Sequence, residues 1–219
     1  MPLLDNYKYK AQGEFFMSSF IYANLILSKD VEIAKEYHEP NTYLIKINDR
    51  WVCRIAETDY NGLSGEFSDT VFSMSEHIPV LFFSNSDNIG LGFSILQNRK
   101  IISSFYIDHE FDADLSLKIA YEMYGNEKGL DYWLEDMSKF IKLAAEQRDE
   151  RLQKNFSNIN VENFKLFCCT DEDIHELKNC LTPKNYDESC ISMIKKFVKV
   201  MKLKEMEYKS WNYVCDSTS

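Results

Sequence analysis

Apolar and polar positions alternate with a period of two through TYLIKIN (residues 42–48) and RWVCRIAET (residues 50–58). The polar Asn48-Asp49 step between them predicts a hairpin. IPVLFFSNS, LGFSILQ and KIISSFYI follow between residues 78 and 107, divided by Asp87-Asn88-Ile89-Gly90 and by Gln97-Asn98-Arg99. Dividers that short and polar predict an antiparallel meander. TVFSM (residues 70–74) and FKLFC (residues 164–168) read as further short strands, and weak alternation in EMEYKSWNYV (residues 205–214) as a closing one. The continuous apolar run FFMSSFIYANLILS (residues 15–28) satisfies a strand and a helix equally, which leaves residues 1–40 open.

Beyond residue 114 the period changes to that of a helix. LSLKIAYEMYG repeats Leu115, Ile119 and Met123 and stops at Gly125, a residue suited to a helix C-terminus. LDYWLEDMSKFIKLAAEQRDERLQ (residues 130–153) places Leu130, Trp133, Leu134, Met137, Phe140, Ile141 and Ala144 on one broad face, predicting one long amphipathic helix with that face in the core. Thr170 and Asp173 have capping-box spacing ahead of DEDIHELKNCL, with Pro183 just past its end. ESCISMIKKFVKVMKL (residues 188–203) turns Ile191, Ile194, Phe197, Val198 and Met201 inward.

Strands followed by helices predict an α+β fold: an antiparallel β-meander sheet over about residues 43–111, then amphipathic helices over about 114–153. These make a first domain of residues 1–153. The polar, Asn-rich KNFSNINVEN (residues 154–163) reads as a linker, and residues 164–219 as a small C-terminal α-rich lobe able to pack on the first domain.

Composition adds an ordinary globular balance, 45% hydrophobic and 27% charged, and an aromatic-rich core from 15 Phe and 13 Tyr. No apolar run reaches the roughly 18 residues of a membrane span. With no export signal and no paired spacing, Cys53, Cys168, Cys169, Cys180, Cys190 and Cys215 are expected as thiols in a bacterial cytoplasm. The charge of −10 changes the picture more, because no Lys or Arg lies between Arg54 and Arg99 while Glu57, Asp59, Glu66, Asp69, Glu76 and Asp87 do. Such a stretch repels phosphate backbones and excludes direct nucleic-acid binding.

The densest candidate chemistry is FYIDHEFDADLS (residues 105–116). If the strand continued through Phe111, pleating would turn His109 to one face with Phe105 and Ile107, and Asp108 and Glu110 to the other. Either Asp112 or Asp114 could cap the helix starting near Leu115. That leaves Asp108 and Glu110, with Asp87 from the neighbouring hairpin, as the candidate catalytic acids of a metal-dependent hydrolase. No zinc, dinucleotide, P-loop or nucleophile-elbow motif is present, and no cofactor or resident metal is expected. The favoured expectation is a non-enzymatic acidic binding protein, of inhibitor or immunity type, that masks a basic protein partner through Glu57, Asp59, Glu66 and Asp69. A hydrolase using Asp108 and Glu110, or a structural subunit of a larger assembly, are the alternatives.

Overall fold

The structure, a computed structural model, describes residues 3–4, 20–37, 39, 41–56, 65–86 and 89–206. The fold is α+β, as the strand and helix periods predict. Its sheet has the order β1-β3-β4-β2-β5-β6-β7. The strands are β1 (Leu3–Leu4), β2 (Phe20–Leu27), β3 (Thr42–Lys46), β4 (Trp51–Ala56), β5 (Val80–Ser86), β6 (Gly90–Gln97) and β7 (Lys100–Asp108). All neighbours are antiparallel except the short β1, which pairs in parallel with β3.

The run left open between residues 15 and 28 resolves into β2, which sits at the centre of the sheet between β4 and β5. Ile21, Ala23, Leu25 and Leu27 face one side, and Tyr22, Asn24 and Ile26 the other. A strand buried on both faces carries no polar alternation, and for that reason the pattern was ambiguous. The β5-β6-β7 meander has the expected hairpins. Asn98 and Arg99 both take positive φ (51° and 57°), the geometry of a tight two-residue turn. A bulge opposite Ile95 and Leu96 then leaves both Ile101 and Ile102 exposed at the edge.

Two short helices, α1 (Val31–Glu36) and α2 (Asp69–Met74), cover one face of the sheet around Ile26, Leu44, Val52, Val80 and Phe82. The TVFSM segment is therefore helix and not strand. Ser68 accepts a hydrogen bond from Val71 N at the α2 N-terminus, and Val71 and Met74 pack inward. In five residues the two periods differ by too little to read, and the cap outside the segment decides. Close by, Arg54 is fully buried and donates to Glu39 at 2.6 Å. Burial would raise the Glu39 pKa, but hydrogen bonds from Thr70, Ser68 and Arg54 hold it below the ordinary carboxylate range.

The other face of the sheet is covered by the end of α5 (Met137–Ser157), a 3-10 helix over Val161–Phe167, α6 (Asp171–Cys180) and α7 (Pro183–Val200). FKLFC is thus the end of a 3-10 helix and not a strand. Phe93 stacks on Phe197 at 5.6 Å and 4°, and meets Phe164 edge-on at 5.1 Å, while Phe105 contacts Phe156 at 5.0 Å. Trp51 Nε1 donates to the carbonyl of Met201 at 2.7 Å. The Thr170/Asp173 capping box forms as expected. Pro183 does more than follow α6, since it opens α7 behind the N-cap Thr182. The stretch expected as a linker, residues 154–163, holds the last turn of α5 and the start of the 3-10 helix, with Phe156 in the same buried cluster as the sheet. The expected closing strand lies outside the described residues from residue 207 on. No helix among the described residues is long and apolar enough to cross a membrane.

Candidate functional site

The acidic stretch at 105–116 does not fold as a continuous strand. Asp108 ends β7, and its Oδ1 accepts the backbone N–H of Glu110 at 2.9 Å, a local turn that redirects the chain into α3 (Phe111–Tyr124). His109 consequently sits exposed in the turn, with Nε2 3.9 Å from Glu110 Oε1, and does not pack with Phe105 and Ile107. The other Asp108 oxygen accepts from Tyr106 OH at 2.8 Å. Asp112 and Asp114 lie in the first turn of a helix that starts four residues earlier than expected, and Asp112 is bound by Arg148 at 2.8 Å. Burial, then the nearby Asp108 and Glu110 charges, push the Asp114 carboxyl above its ordinary range. Asp87 lies outside the described residues. Among the described residues no group of three or more His, Cys, Asp or Glu side chains could hold a metal ion. The five described cysteines, Cys53, Cys168, Cys169, Cys180 and Cys190, form no disulfide.

Of the four acids expected to bind a partner, Glu57 and Asp59 lie outside the described residues. Glu66 and Asp69 are exposed, the latter in the first turn of α2. A denser concentration of negative charge lies elsewhere, on an arm made by α3, α4 (Gly129–Glu135) and the first half of α5. Residues 108–136 carry nine carboxylates against two lysines.

Three local features build this arm. Gly125, at φ 79°, ends α3. Gly129 lies so close to α3 that a Cβ would fall 2.7 Å from Tyr121 Cα. Asp136, at φ −143° and ψ 64°, leaves helical geometry and caps α5 by accepting from Lys139 N at 3.1 Å. The long helix expected over 130–153 is therefore two helices. The arm has a small core of its own, Leu115, Ile119, Ala120, Phe140 and Ala144. Trp133 Nε1 donates to Ser116 Oγ at 2.8 Å, and Tyr124 stacks on Tyr132 at 4.1 Å. Arg148 joins Asp112 to Asp187 of α7 (2.8 and 2.6 Å), and Arg151 holds Glu122 through two bonds.

The break at Asp136 overturns the expected core face. Phe140 and Ala144 are buried and Trp133 is half-buried, but Leu130, Leu134, Met137 and Ile141 are 44%, 60%, 41% and 53% exposed. Six of the eleven exposed large apolar side chains among the described residues fall between Met123 and Ile141. Apolar surface concentrated in this way marks an interaction site more often than singly scattered residues do. The nearby Glu127, Asp131 and Glu135 form no ion pair among the described residues, so the exposed apolar side chains lie beside uncompensated negative charge.

A second feature has the opposite sign. A cleft of about 1110 Å³ opens over the face of β2 and β5 on which α7 packs, beside the C-terminal half of that helix. Ile21, Leu27, Phe83, Val198 and Leu203 supply its apolar lining, and Lys29, Arg50, Lys195, Lys199, Lys202 and Lys204 its charge. Asp49 is the one carboxylate among the described lining residues; its side chain is fully exposed and lies 3.6 Å from Lys46. Arg50 is 3.9 Å from Asp173 and donates to the Cys168 carbonyl at 3.4 Å. Residues 195–204 hold five lysines and no acid, a run legible in the sequence. What the run alone does not show is that Lys29 and Arg50, about 150 residues away, face the same cavity. No family model, no curated protein and no solved structure matches this chain.

Proposed function

We propose that this chain is a non-enzymatic binding protein that covers a basic surface of a protein partner, and that it does so with the tip of the α3–α5 arm. One observation carries the reading: exposed Leu130, Leu134, Met137 and Ile141 project from residues 108–141, a stretch with nine carboxylates and three lysines. The apolar side chains supply area to bury, worth about 25 cal/mol per Å² before the costs of association. The carboxylates select a cationic rim and speed encounter at low salt. A partner surface of basic and apolar residues satisfies both. Masking such a surface would suit an inhibitor or immunity-type role, with Glu66 and Asp69 adding to the field.

The test uses two amphipathic helical peptides of equal length, one built from Leu and Lys and the other from Leu and Glu. Calorimetry should show the basic peptide binding at micromolar strength and the acidic one at least tenfold more weakly. Leu130→Ser with Leu134→Ser should abolish the first interaction while circular dichroism stays unchanged. Equal affinity for the two peptides, or undiminished binding by the double variant, would exclude the arm as the interface. A photo-cross-linker at Leu134 in cells then identifies the partner, whose captured surface should be basic.

A further inference from the structure

The geometry points to a second binding site, independent of the arm: the cleft between β2, β5 and the end of α7 takes an amphipathic organic anion, an alkyl or acyl chain ending in a phosphate or carboxylate. Three independent features of the cleft lead there.

The first is its size and lining. At about 1110 Å³ it lies just above the range typical of small-molecule sites, about 300–1,000 Å³, and so has room for a long ligand. Ile21, Leu27 and Leu203 are almost wholly buried and Phe83 is fully so, which makes the base of the cleft a closely packed apolar layer that offers no side-chain hydrogen bond. A ligand resting there carries an apolar body.

The second is charge without partners. Many of the described cations elsewhere are matched, Lys35 with Glu32, Arg54 with Glu39, Arg148 with Asp112 and Asp187, Arg151 with Glu122, and Lys165 and Lys178 with Glu162, and the described lysines outside the cleft that form no ion pair, such as Lys100, Lys118 and Lys142, lie apart from one another in the chain. Lys29, Lys195, Lys199, Lys202 and Lys204 have no ion pair among the described residues, and all five line one cavity. In a chain of net charge −10, such a concentration of uncompensated cations is not explained by overall solubility. Their mutual repulsion is relieved by an anion lying between the two rims, Lys29 and Arg50 on one side and the α7 lysines on the other. Lysines act as point charges on flexible stems, so they can meet a phosphate or a carboxylate without the fixed bidentate geometry of an arginine fork.

The third is the absence of a stacking surface. The one aromatic residue among the described lining residues is Phe83, which is fully buried. Single-stranded nucleic acids need exposed rings as well as positive charge, so the cleft favours an aliphatic anion over a nucleotide chain. Its concavity favours a ligand taken up as a free molecule over a membrane surface, against which a convex or flat basic face would lie.

Calorimetry with the full chain and monomeric dodecyl phosphate tests this directly. The expected result is saturable 1:1 binding in the micromolar range that weakens as salt is raised. Inorganic phosphate alone and dodecyltrimethylammonium should each bind at least tenfold more weakly. Lys195 and Lys199 are exposed neighbours on α7, so Lys195→Glu with Lys199→Glu should leave the circular dichroism spectrum intact and weaken dodecyl phosphate at least tenfold. Lys184→Glu, on the same helix outside the cleft, should leave it unchanged. Equal binding of the cationic detergent, unaltered affinity in the double variant, or an equal loss in Lys184→Glu would overturn the site. Binding seen with phosphatidylglycerol vesicles but not with the monomer would replace it with a membrane-surface role. None of these outcomes depends on the arm, because Leu130→Ser with Leu134→Ser should bind dodecyl phosphate as the parent does.

Discussion

The arm and the cleft are built from helices of similar amphipathic pattern, yet they end as opposites. Along α7, Met193, Ile194, Phe197 and Val200 are buried against the sheet, and the surplus on the outer face is lysine. Along α4 and the start of α5, Leu130, Leu134, Met137 and Ile141 also recur at three- and four-residue intervals and remain in solvent, with carboxylates around them. The difference lies in what each helix has to pack against. A broad sheet receives α7, whereas α4 and early α5 meet only α3, and three short helical segments enclose a core of five buried residues. A hydrophobic face is buried only where a second layer covers it.

The largest expected effect tests whether the arm's core is real. Phe140 is 1% exposed, so Phe140→Ala should cost about 3–4 kcal/mol in chemical denaturation, while Leu134→Ser, across the Asp136 break in α4, should change stability by less than about 0.5 kcal/mol. Equal costs would mean that the arm's exposed and buried residues are not the distinct sets described above.

Gly129 comes next. An alanine methyl group there would lie 2.7 Å from Tyr121 Cα and 2.9 Å from its backbone N. Gly129→Ala should therefore force α4 away from α3 at a cost of about 2 kcal/mol, the ordinary scale of overpacking. Faster amide exchange confined to residues 111–144 would show the strain staying in the arm, and loss spread through the sheet would show the two regions to be one cooperative unit.

Arg148 ties the regions together, since it bridges Asp112 of the arm and Asp187 of α7. Both bonds, with burial opposing, raise the guanidinium pKa further, so this cation is never neutral at working pH. Arg148→Ala should cost about 1–2 kcal/mol, more than a fully exposed pair, and the loss should shrink in high salt. A loss below about 0.3 kcal/mol would make the bridge incidental.

The smallest effect concerns acid crowding at the arm's base. Burial, Asp108 and Glu110 raise the Asp114 pKa from 3.8, so its charged form weakens the fold. Its stabilising contribution is fully present below pH 3.8 and is lost as pH rises through the raised native value. Asp114→Asn should then be more stable than the parent at pH 7, with the difference vanishing toward acid pH. A variant less stable at pH 7 would show that the carboxylate makes a favourable contact. Glu39 has the opposite sign: its lowered pKa contributes stability at neutral pH that is lost as pH falls through the native value, and Glu39→Gln should remove that loss.

Where local signals and global packing agree, the sequence by itself determined the structure. The period-two runs of β3 and β4, the β5-β6-β7 meander marked by its short polar dividers, the Asn98-Arg99 turn, the Gly125 stop and the Thr170/Asp173 box all form as the pattern implies, because a turn or cap depends on neighbours a few residues away. Tertiary structure alone decided that β2 is a strand and lies at the centre, since a run buried on both faces has no period to read. It also decided which apolar stripe found a covering layer. Nothing in Leu130, Leu134, Met137 and Ile141 distinguishes them from Met193, Ile194, Phe197 and Val200 until the sheet is seen to lie under one set and solvent over the other. The cleft belongs wholly to that second kind of information. Its lysines are adjacent in sequence, but the apolar floor beneath them and the facing Lys29 and Arg50 arrive from strands and turns some 150 residues away, brought there by pairing and packing that no local pattern encodes.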